Sequence, residues 1–225
     1  FENRFGKKFD FVPFGSDVSE FANDDAIFKR LGIKAKDYFL FVGRFIPDKG
    51  LHYLLPAFKM VSTEKKLVLV GGSPNPSDYE KKILSTDDKR IIFPGYVYGE
   101  DSLRLMKNAY CYIQPSDVEG LSPVILNVMG LGTPIICSDI KENIYAVSED
   151  AILFRKGDII SLKEGIERAL DTPEEIFQSA ERARTRVLAT FSWDKVTSEH
   201  EAIFNNLLES GIVTEGHDTN IEELP

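Results

Sequence analysis

The sequence predicts an α/β fold with a doubly wound, Rossmann-like parallel sheet. Short continuous apolar runs alternate along the chain with segments whose apolar residues recur at helical spacing. Apolar runs without polar alternation are typical of strands that are buried on both faces of a parallel sheet. Several of these runs end in glycine-containing turns. With 225 residues, 43% of them hydrophobic, the chain can bury one sizeable core.

Six strands and the helices between them follow from this alternation. The strands are predicted over residues 38–42, 66–70, 91–97, 110–113, 134–137 and 151–154. The helices are predicted over residues 24–31, 51–61, 77–84, 101–109, 123–131, 159–170 and 193–208, with a further helix starting at 172. Since each strand precedes a helix, the connections are those of a parallel sheet with helices on its faces.

Capping residues mark several helix ends. Ser122 can cap a helix whose first position is Pro123, where the missing N–H of proline is no loss. Gly132 then ends this helix. Ser192 caps the last helix in the same way. Pro56 lies inside the helix predicted from Leu51 and is expected to constrain its first turns.

The composition excludes some classes of partner. A net charge of −9 and a pI near 5.0 argue against nucleic acid, because phosphate backbones require a basic surface. Cys111 and Cys137 lie in apolar strand-like runs, so we expect buried free thiols in a reducing compartment. No apolar run approaches the roughly 20 residues that span a membrane.

The turn after the fourth strand is the first candidate site. A strand that leads into a helix N-terminus presents unpaired N–H groups and the positive end of a dipole, which suit a phosphate. Glu119 lies in the mouth of this turn, and Asn127 lies one helical turn beyond Pro123 on the same face. A carboxylate beside an anion site is explained by a ligand that also carries hydroxyl groups, as a sugar does.

The residues of this turn resemble a known signature. Glu119 to Asn127, with Met129 and residues 132–134, is similar to the E-x7-E donor motif of retaining GT-B glycosyltransferases of the family-four type. Asn127 replaces the second glutamate of that motif, and Val128 replaces its usual alanine. Residues 43–50, GRFIPDKG, resemble the G-R-x-x-x-x-K-G loop of the same family.

Other segments extend the resemblance over about residues 11–208. Residues 11–18 resemble the link between the two domains of the family, 66–74 its L-V-I-V-G-x-G-P strand and turn, and 191–193 its F-S-W sequence. After the fifth strand, the chain has Lys141-Glu142-Asn143-Ile144 where the family has a glycine pair and a glutamate. Because of this departure, the resemblance says less about which donor sugar this chain binds.

The resemblance implies roles for particular residues. The catalytic residues would be Arg44 and Lys49, which hold the departing diphosphate, and Glu119, which binds sugar hydroxyls. The donor would also contact Gly43, Gly71, Tyr96, Val97, Gly120, Leu121, Ser122 and Asn127. The nucleotide sugar would be a substrate, and neither a metal nor another cofactor is expected.

The resemblance also predicts a domain organisation. Residues 1–10 would be a remnant of an N-terminal-domain helix and its linker, and 11–191 the nucleotide-sugar-binding domain. Residues 192–210 would form a C-terminal crossover helix, and 211–225 an acidic tail. We expect a missing acceptor-binding half, a cytoplasmic location and a role in polysaccharide biosynthesis. Peripheral membrane contact through the missing half stays open.

Other functions remain open at this point. The chain fits a non-catalytic sugar-nucleotide-binding or assembly module, with Asn127 as a mark of decay, or another GT-B enzyme such as an epimerase or a phosphorylase. A dehydrogenase is disfavoured, because no Gly-x-Gly-x-x-Gly follows the first strand. The base, the sugar and the acceptor are not determined.

Overall fold

Six parallel strands form one sheet in a computed structural model that describes residues 2–6, 9–16, 21–22 and 24–209. The strands are β1 (Tyr38–Arg44), β2 (Lys66–Gly72), β3 (Ile91–Gly95), β4 (Cys111–Gln114), β5 (Ile135–Ser138) and β6 (Ile152–Phe154). The predicted tail at 211–225 and residues 17–18 of the predicted link lie outside the described residues.

Ten helices are found in the described part of the chain. They are α1 (Glu2–Phe5), α2 (Ala26–Leu31), α3 (Leu51–Met60), α4 (Asp78–Leu84), α5 (Gly99–Asn108), α6 (Pro123–Gly130), α7 (Lys141–Val147), α8 (Ile159–Asp171), α9 (Pro173–Thr190) and α10 (Trp193–Glu209). A 3₁₀ turn, Pro47–Lys49, precedes α3.

The strand order confirms the doubly wound fold. It is β3-β2-β1-β4-β5-β6, so the chain runs outward from β1 to β3 and then returns to place β4 on the other side of β1. All adjacent strands pair in parallel. The order reverses between β1 and β4, and ligands of open α/β sheets bind beyond the carboxyl ends of the strands at such a switch point.

The central strands are buried on both faces, as their continuous apolar runs predict. Phe39 and Phe41 belong to a core shared with α3 and α8. Tyr38 and Leu40 point the opposite way, into a core shared with α5, α6 and α9. This alternation follows from the strand period of two, so each face of β1 carries its own helix layer.

Most predicted helices are confirmed, with bounds that differ by a few residues. The helix predicted from Asp24 begins at Ala26, because the carboxylate of Asp24 accepts a hydrogen bond from the Ala26 N–H and holds a turn there instead. α3 continues past Pro56 to Met60. The structure adds one helix that was not predicted, α7, whose N-cap residue Ile140 provides no side-chain cap.

Polar and apolar contacts join the last two helices to the rest of the fold. Arg182 Nε donates to Asp150 Oδ1 at 2.8 Å, and Arg186 donates to the Ala146 carbonyl at 2.9 Å. These two arginines therefore tie α9 to α7 and its following turn. Val196 of α10 is buried within the described chain.

Both cysteines are buried free thiols, as predicted. Burial raises the pKa of Cys137 to about 12, with a smaller contribution from the charge of Asp139. A thiol with such a pKa stays protonated at neutral pH and is a poor nucleophile, so both residues serve as small apolar core groups.

A close backbone approach joins the loop after β1 to the loop after β4. Gly50 has a φ of +69°, and a Cβ atom at this position would lie 1.9 Å from the Pro115 carbonyl oxygen. The Asp117 N–H donates to the Asp48 carbonyl at 2.8 Å. The two loops at the switch point therefore form one unit, and only glycine fits at position 50.

We predict that Gly50→Ala lowers the free energy of unfolding by about 3 kcal/mol, from left-handed strain and a forced separation of the two loops. Gly32→Ala is the matched control, because Gly32 also has a positive φ, +62°, but nothing lies within 4 Å of its added Cβ. Gly32→Ala should lower the free energy of unfolding only by the cost of a left-handed backbone conformation, about 1 kcal/mol. Urea unfolding measures both, and equal losses would contradict the close approach.

Candidate functional site

The candidate site lies at the switch point, beyond the carboxyl ends of β1 and β4. β1 ends at Arg44, and the loop that follows carries Lys49 into the start of α3. β4 ends at Gln114, and the turn that follows carries Glu119 to the N-terminus of α6. Neighbouring parallel strands end at the same edge of the sheet, so the topology brings these two predicted loops together.

Lys49 and Glu119 form an ion pair. Lys49 Nζ lies 2.5 Å from Glu119 Oε1, and the two side chains are 19% and 10% exposed. The Ser116 hydroxyl donates to the same carboxylate oxygen at 2.7 Å. A charge-assisted bond that is largely withdrawn from water is stronger than an exposed surface pair. The carboxylate therefore has a defined position, and the lysine is its counter-charge.

A chain of buried hydrogen bonds holds the turn that carries Glu119. Ser138 Oγ donates to the Ser116 carbonyl at 2.5 Å, which ties the turn to the end of β5. Asn143 of α7 donates to Ser138 Oγ at 3.0 Å and accepts a bond from Gln114 Nε2, also at 3.0 Å. These groups are buried, so each bond satisfies a polar atom that water does not reach. The turn after β4 is thereby fixed by contacts with β5 and α7.

Ser122 has a structural role in this arrangement. Its hydroxyl donates to Gln114 Oε1 at 3.3 Å and caps α6 by accepting a bond from the Ile125 N–H at 3.4 Å. The predicted cap is therefore confirmed. Ser122 is buried and lines neither of the hollows described below.

A second polar contact braces α3 against the turn after β4. The Tyr53 hydroxyl donates to Asp117 Oδ2 at 3.1 Å. Desolvation raises the pKa of Tyr53, and the hydrogen bond to Asp117 adds to the rise. Partial burial lowers the pKa of the neighbouring His52, which the charge of Asp117 opposes. Tyr53 therefore stays a neutral donor at physiological pH, and the contact keeps the Lys49 loop against the Glu119 turn.

One hollow of about 500 Å³ lies along the ends of β1, β2 and β3, and we call it the tyrosine hollow. Among the predicted site residues, it is lined by Gly43, Arg44, Gly71, Tyr96, Val97 and Asn127. Arg44 is exposed there, and none of the described carboxylates pairs with it. The hollow thus combines a free cation with apolar and aromatic walls, which suits an anionic ligand with a flat ring system.

Tyr98, which the sequence analysis did not single out, also lines the tyrosine hollow. Its ring lies parallel to that of Tyr96, with an interplanar angle of 5° and 5.8 Å between centroids. Both rings are exposed. The sequence signal for Tyr98 as a site residue was its position two residues after Tyr96, at the end of a predicted strand. The orientation of a loop side chain does not follow from such spacing.

A second hollow of about 480 Å³ contains the carboxylate of Glu119, and we call it the carboxylate hollow. Its lining consists of Phe11, Glu119, Gly120, Leu121, Lys141, Glu142 and Tyr145. Three of these residues, Glu119, Gly120 and Leu121, were predicted. Lys141, Glu142 and Tyr145 were not predicted as site residues, because α7 itself was not predicted. Phe11 was predicted only as part of the link between the two domains.

The structure thus places the predicted residues other than Lys49 and Ser122 in the linings of two hollows at one edge of the sheet. Arg44 lines the tyrosine hollow, Glu119 lines the carboxylate hollow, and Lys49 contacts Glu119. Oxygen-rich ligands with negative charge can meet cations on one side and a hydrogen-bond-accepting carboxylate on the other. Within the described ranges, no group of three or more His, Cys, Asp or Glu residues could hold a metal ion. In the same part of the chain, no helix is long and apolar enough to cross a membrane.

The role of the buried network leads to a stability prediction. Asn143→Ala removes bonds to Gln114 and Ser138 and leaves the buried Gln114 Nε2 without its partner, so the free energy of unfolding should fall by about 2–4 kcal/mol. Thr185→Ala removes a hydroxyl on the exposed face of α9 and should change it by about 0.5 kcal/mol or less. Urea unfolding compares the two variants. Similar losses for both would show that the network does not stabilise the turn.

Comparisons with known proteins identify relatives of this chain. The family model described as glycosyl transferases group 1 matches residues 23–186. Among curated relatives, the capsular polysaccharide biosynthesis glycosyltransferase CapM of Staphylococcus aureus is 25% identical over 175 residues, which are 75% of this chain and 46% of the relative. The lipopolysaccharide 1,2-N-acetylglucosaminetransferase of Salmonella typhimurium is 32% identical over 184 residues, 74% of this chain and 48% of the relative.

Solved structures share the fold. Sucrose-phosphate synthase of Thermosynechococcus elongatus has a TM-score of 0.80 at 24% identity, and the match covers 93% of this chain and 56% of that one. HepE of Anabaena, in complex with UDP, has a TM-score of 0.75 at 19% identity, with 81% of this chain and 52% of that chain covered. These likenesses confirm the predicted GT-B type of fold. The chain spans about half the length of the curated relatives it matches, and it belongs to the glycosyl transferases group 1 family.

Proposed function

We propose that this chain is the nucleotide-sugar-binding domain of a retaining glycosyltransferase, which moves a hexosyl group from a nucleoside diphosphate sugar to an acceptor hydroxyl. The observation that carries the proposal is the Lys49–Glu119 pair at the switch point, with Arg44 in the tyrosine hollow at the same edge of the sheet. The relatives support it, because those compared above are named as glycosyltransferases. HepE has been solved with UDP and with UDP-glucose, which supports a nucleotide sugar as the donor.

The diphosphate would bind between the two cations. The Arg44 guanidinium can contact two phosphate oxygens at once, and the Lys49 ammonium supplies a compact charge. The N-terminus of α6, a helix of eight residues, adds the positive end of its dipole. In the free chain, Lys49 is paired with Glu119. A bound diphosphate would share this ammonium, so Lys49 would link the phosphate to the carboxylate.

The nucleoside would occupy the tyrosine hollow. The flat exposed faces of Tyr96 and Tyr98 suit a base, since stacking of a base on an aromatic ring is typically worth about 1–3 kcal/mol. Asn127 lines the hollow and would contact the ribose hydroxyls. Gly71, with a φ of +129°, would collide with the Gly43 carbonyl oxygen if it carried a Cβ. Glycine at position 71 is therefore required by the close contact between the ends of β1 and β2, both of which line the hollow.

The hexosyl group would lie in the carboxylate hollow. Glu119 can only accept hydrogen bonds, so it would hold sugar hydroxyls and orient the anomeric carbon. In the reaction, the bond between the anomeric carbon and the phosphate oxygen breaks, and its electron pair leaves with the diphosphate. Arg44, Lys49 and the α6 N-terminus would stabilise that developing charge, a contribution typically worth several kcal/mol.

The acceptor would be bound by other parts of the protein. The chain spans about half the length of its curated relatives, so we propose that the remaining half supplies the acceptor site. The acceptor hydroxyl forms the new bond to the anomeric carbon and gives up its proton. Retention of configuration at this carbon rests on the resemblance of residues 119–134 to the retaining enzymes.

The phosphate role of Lys49 can be tested by binding. Thermal stabilisation by UDP, GDP and ADP, and by their hexose conjugates, first identifies the nucleotide, since a ligand at a hundred times its Kd adds about 2.7 kcal/mol. Lys49→Ala should then weaken binding of that diphosphate by about 10- to 100-fold, because a charge-assisted hydrogen bond is lost. Lys89→Ala, on an exposed loop, should leave it unchanged. Equal affinities of Lys49→Ala and the unaltered chain in titration calorimetry would refute this role.

The ribose role of Asn127 predicts a gain of affinity. Asn127→Glu restores a charged acceptor, and charge-assisted bonds are about twice as strong as neutral ones, so donor affinity should rise by about tenfold. Asn127→Ala should lower it. Calorimetric titration of the same nucleotide sugar measures all three chains. Unchanged or weaker binding by Asn127→Glu would mean that the side chain does not face the ribose.

A further inference from the structure

A second carboxylate shares the carboxylate hollow with Glu119. Glu142, in the first turn of α7, has a side chain that is 29% exposed and lines this hollow. Its ion-pair partner is Lys141, 90% exposed, whose Nζ lies 3.7 Å away. An exposed ion pair between adjacent residues contributes little to the stability of the fold or to the position of the carboxylate. Among the described residues, no donor forms a hydrogen bond to Glu142, so the fold leaves its oxygens without strong partners.

The position of Glu142 is set by the rest of α7. Asn143 anchors the helix through its bonds to Ser138 and Gln114, and Ala146 and Val147 are buried in the core. Glu142 and Tyr145 are three residues apart, so they share one face of the helix, and both line the hollow. The carboxylate is therefore held in place by packing that lies behind it.

An aromatic wall completes the hollow. The rings of Phe11 and Tyr145 meet edge to face, with 6.0 Å between centroids and an interplanar angle of 84°. Both rings keep large exposed areas. Carboxylates only accept hydrogen bonds, so a ligand of this hollow must bring donors on one side and a carbon-bound hydrogen surface on the other. A hexosyl group with free hydroxyls has both kinds of surface.

We propose that Glu142 binds a hydroxyl of the donor hexosyl group and thereby determines which sugar this domain accepts. The inference rests on the proposed function, because it places a sugar beside Glu119. Two acceptors on separate elements, the β4 turn and α7, contact hydroxyls at different carbons of one ring, so a sugar that lacks either hydroxyl binds less tightly.

The test compares each nucleoside diphosphate with its hexose conjugate: UDP with UDP-glucose, GDP with GDP-mannose, and ADP with ADP-glucose. Glu142→Ala should weaken binding of the sugar conjugate by about tenfold, while the affinity for the matching diphosphate stays within about twofold. Glu142→Gln keeps an acceptor and should lose less. Glu149→Ala is the matched control, since Glu149 lies just beyond the same helix and is exposed. Thermal unfolding of each variant checks that it remains folded.

The outcomes separate the inference from the proposed function. If the unaltered chain binds a diphosphate, and Glu142→Ala weakens both members of the pair equally or neither, the inference is overturned and the proposed function stands. If the unaltered chain binds no member of any pair, the proposed function is wrong and the role of Glu142 falls with it. A loss confined to the sugar conjugate supports both.

Discussion

The turn after β4 is held by buried hydrogen bonds that run from α7, through the ends of β4 and β5, to the carboxylate of Glu119. Asn143, Ser138 and Ser116 carry this chain of contacts, and Lys49 closes it from the β1 side. In a low-dielectric interior, a fully satisfied network is rigid, and a partly satisfied one is costly. The position of the carboxylate is therefore set before a ligand arrives. Fixed charges and dipoles of this kind need no reorganisation during a reaction, which is why they are effective in catalysis.

The topology explains why these groups meet. The strand order reverses between β1 and β4, so the helices that follow these strands, α3 and α6, pack on opposite faces of the sheet. The Gly50–Pro115 contact and the Asp117–Asp48 backbone bond hold the intervening loops together. Lys49 of one loop and Glu119 of the other become neighbours, although they are far apart in the sequence.

The fold could be predicted largely from local signals, and the site only in part. Buried strands such as β1 are continuous apolar runs, and α6 begins with the Ser122-Pro123 capping signal. α7 lacks such a signal and is stabilised by tertiary contacts of Asn143, so neither it nor Glu142 could be placed. Within the site, the Ser122 hydroxyl donates to Gln114 Oε1 and accepts the bond that caps α6. Its two partners come from different elements, which the sequence alone does not bring together.

The central claim is that one edge of the sheet is built to hold a nucleotide sugar, with its diphosphate on the cations and its hexose on the carboxylate. The most direct measurement is a crystal structure of this chain with the nucleotide sugar that stabilises it. We expect the diphosphate oxygens within about 3 Å of Lys49 and Arg44, and a hexose hydroxyl within about 3 Å of Glu119. A ligand bound elsewhere, for example in the hollow between α3 and α4 beside His52 and Tyr79, would contradict the claim.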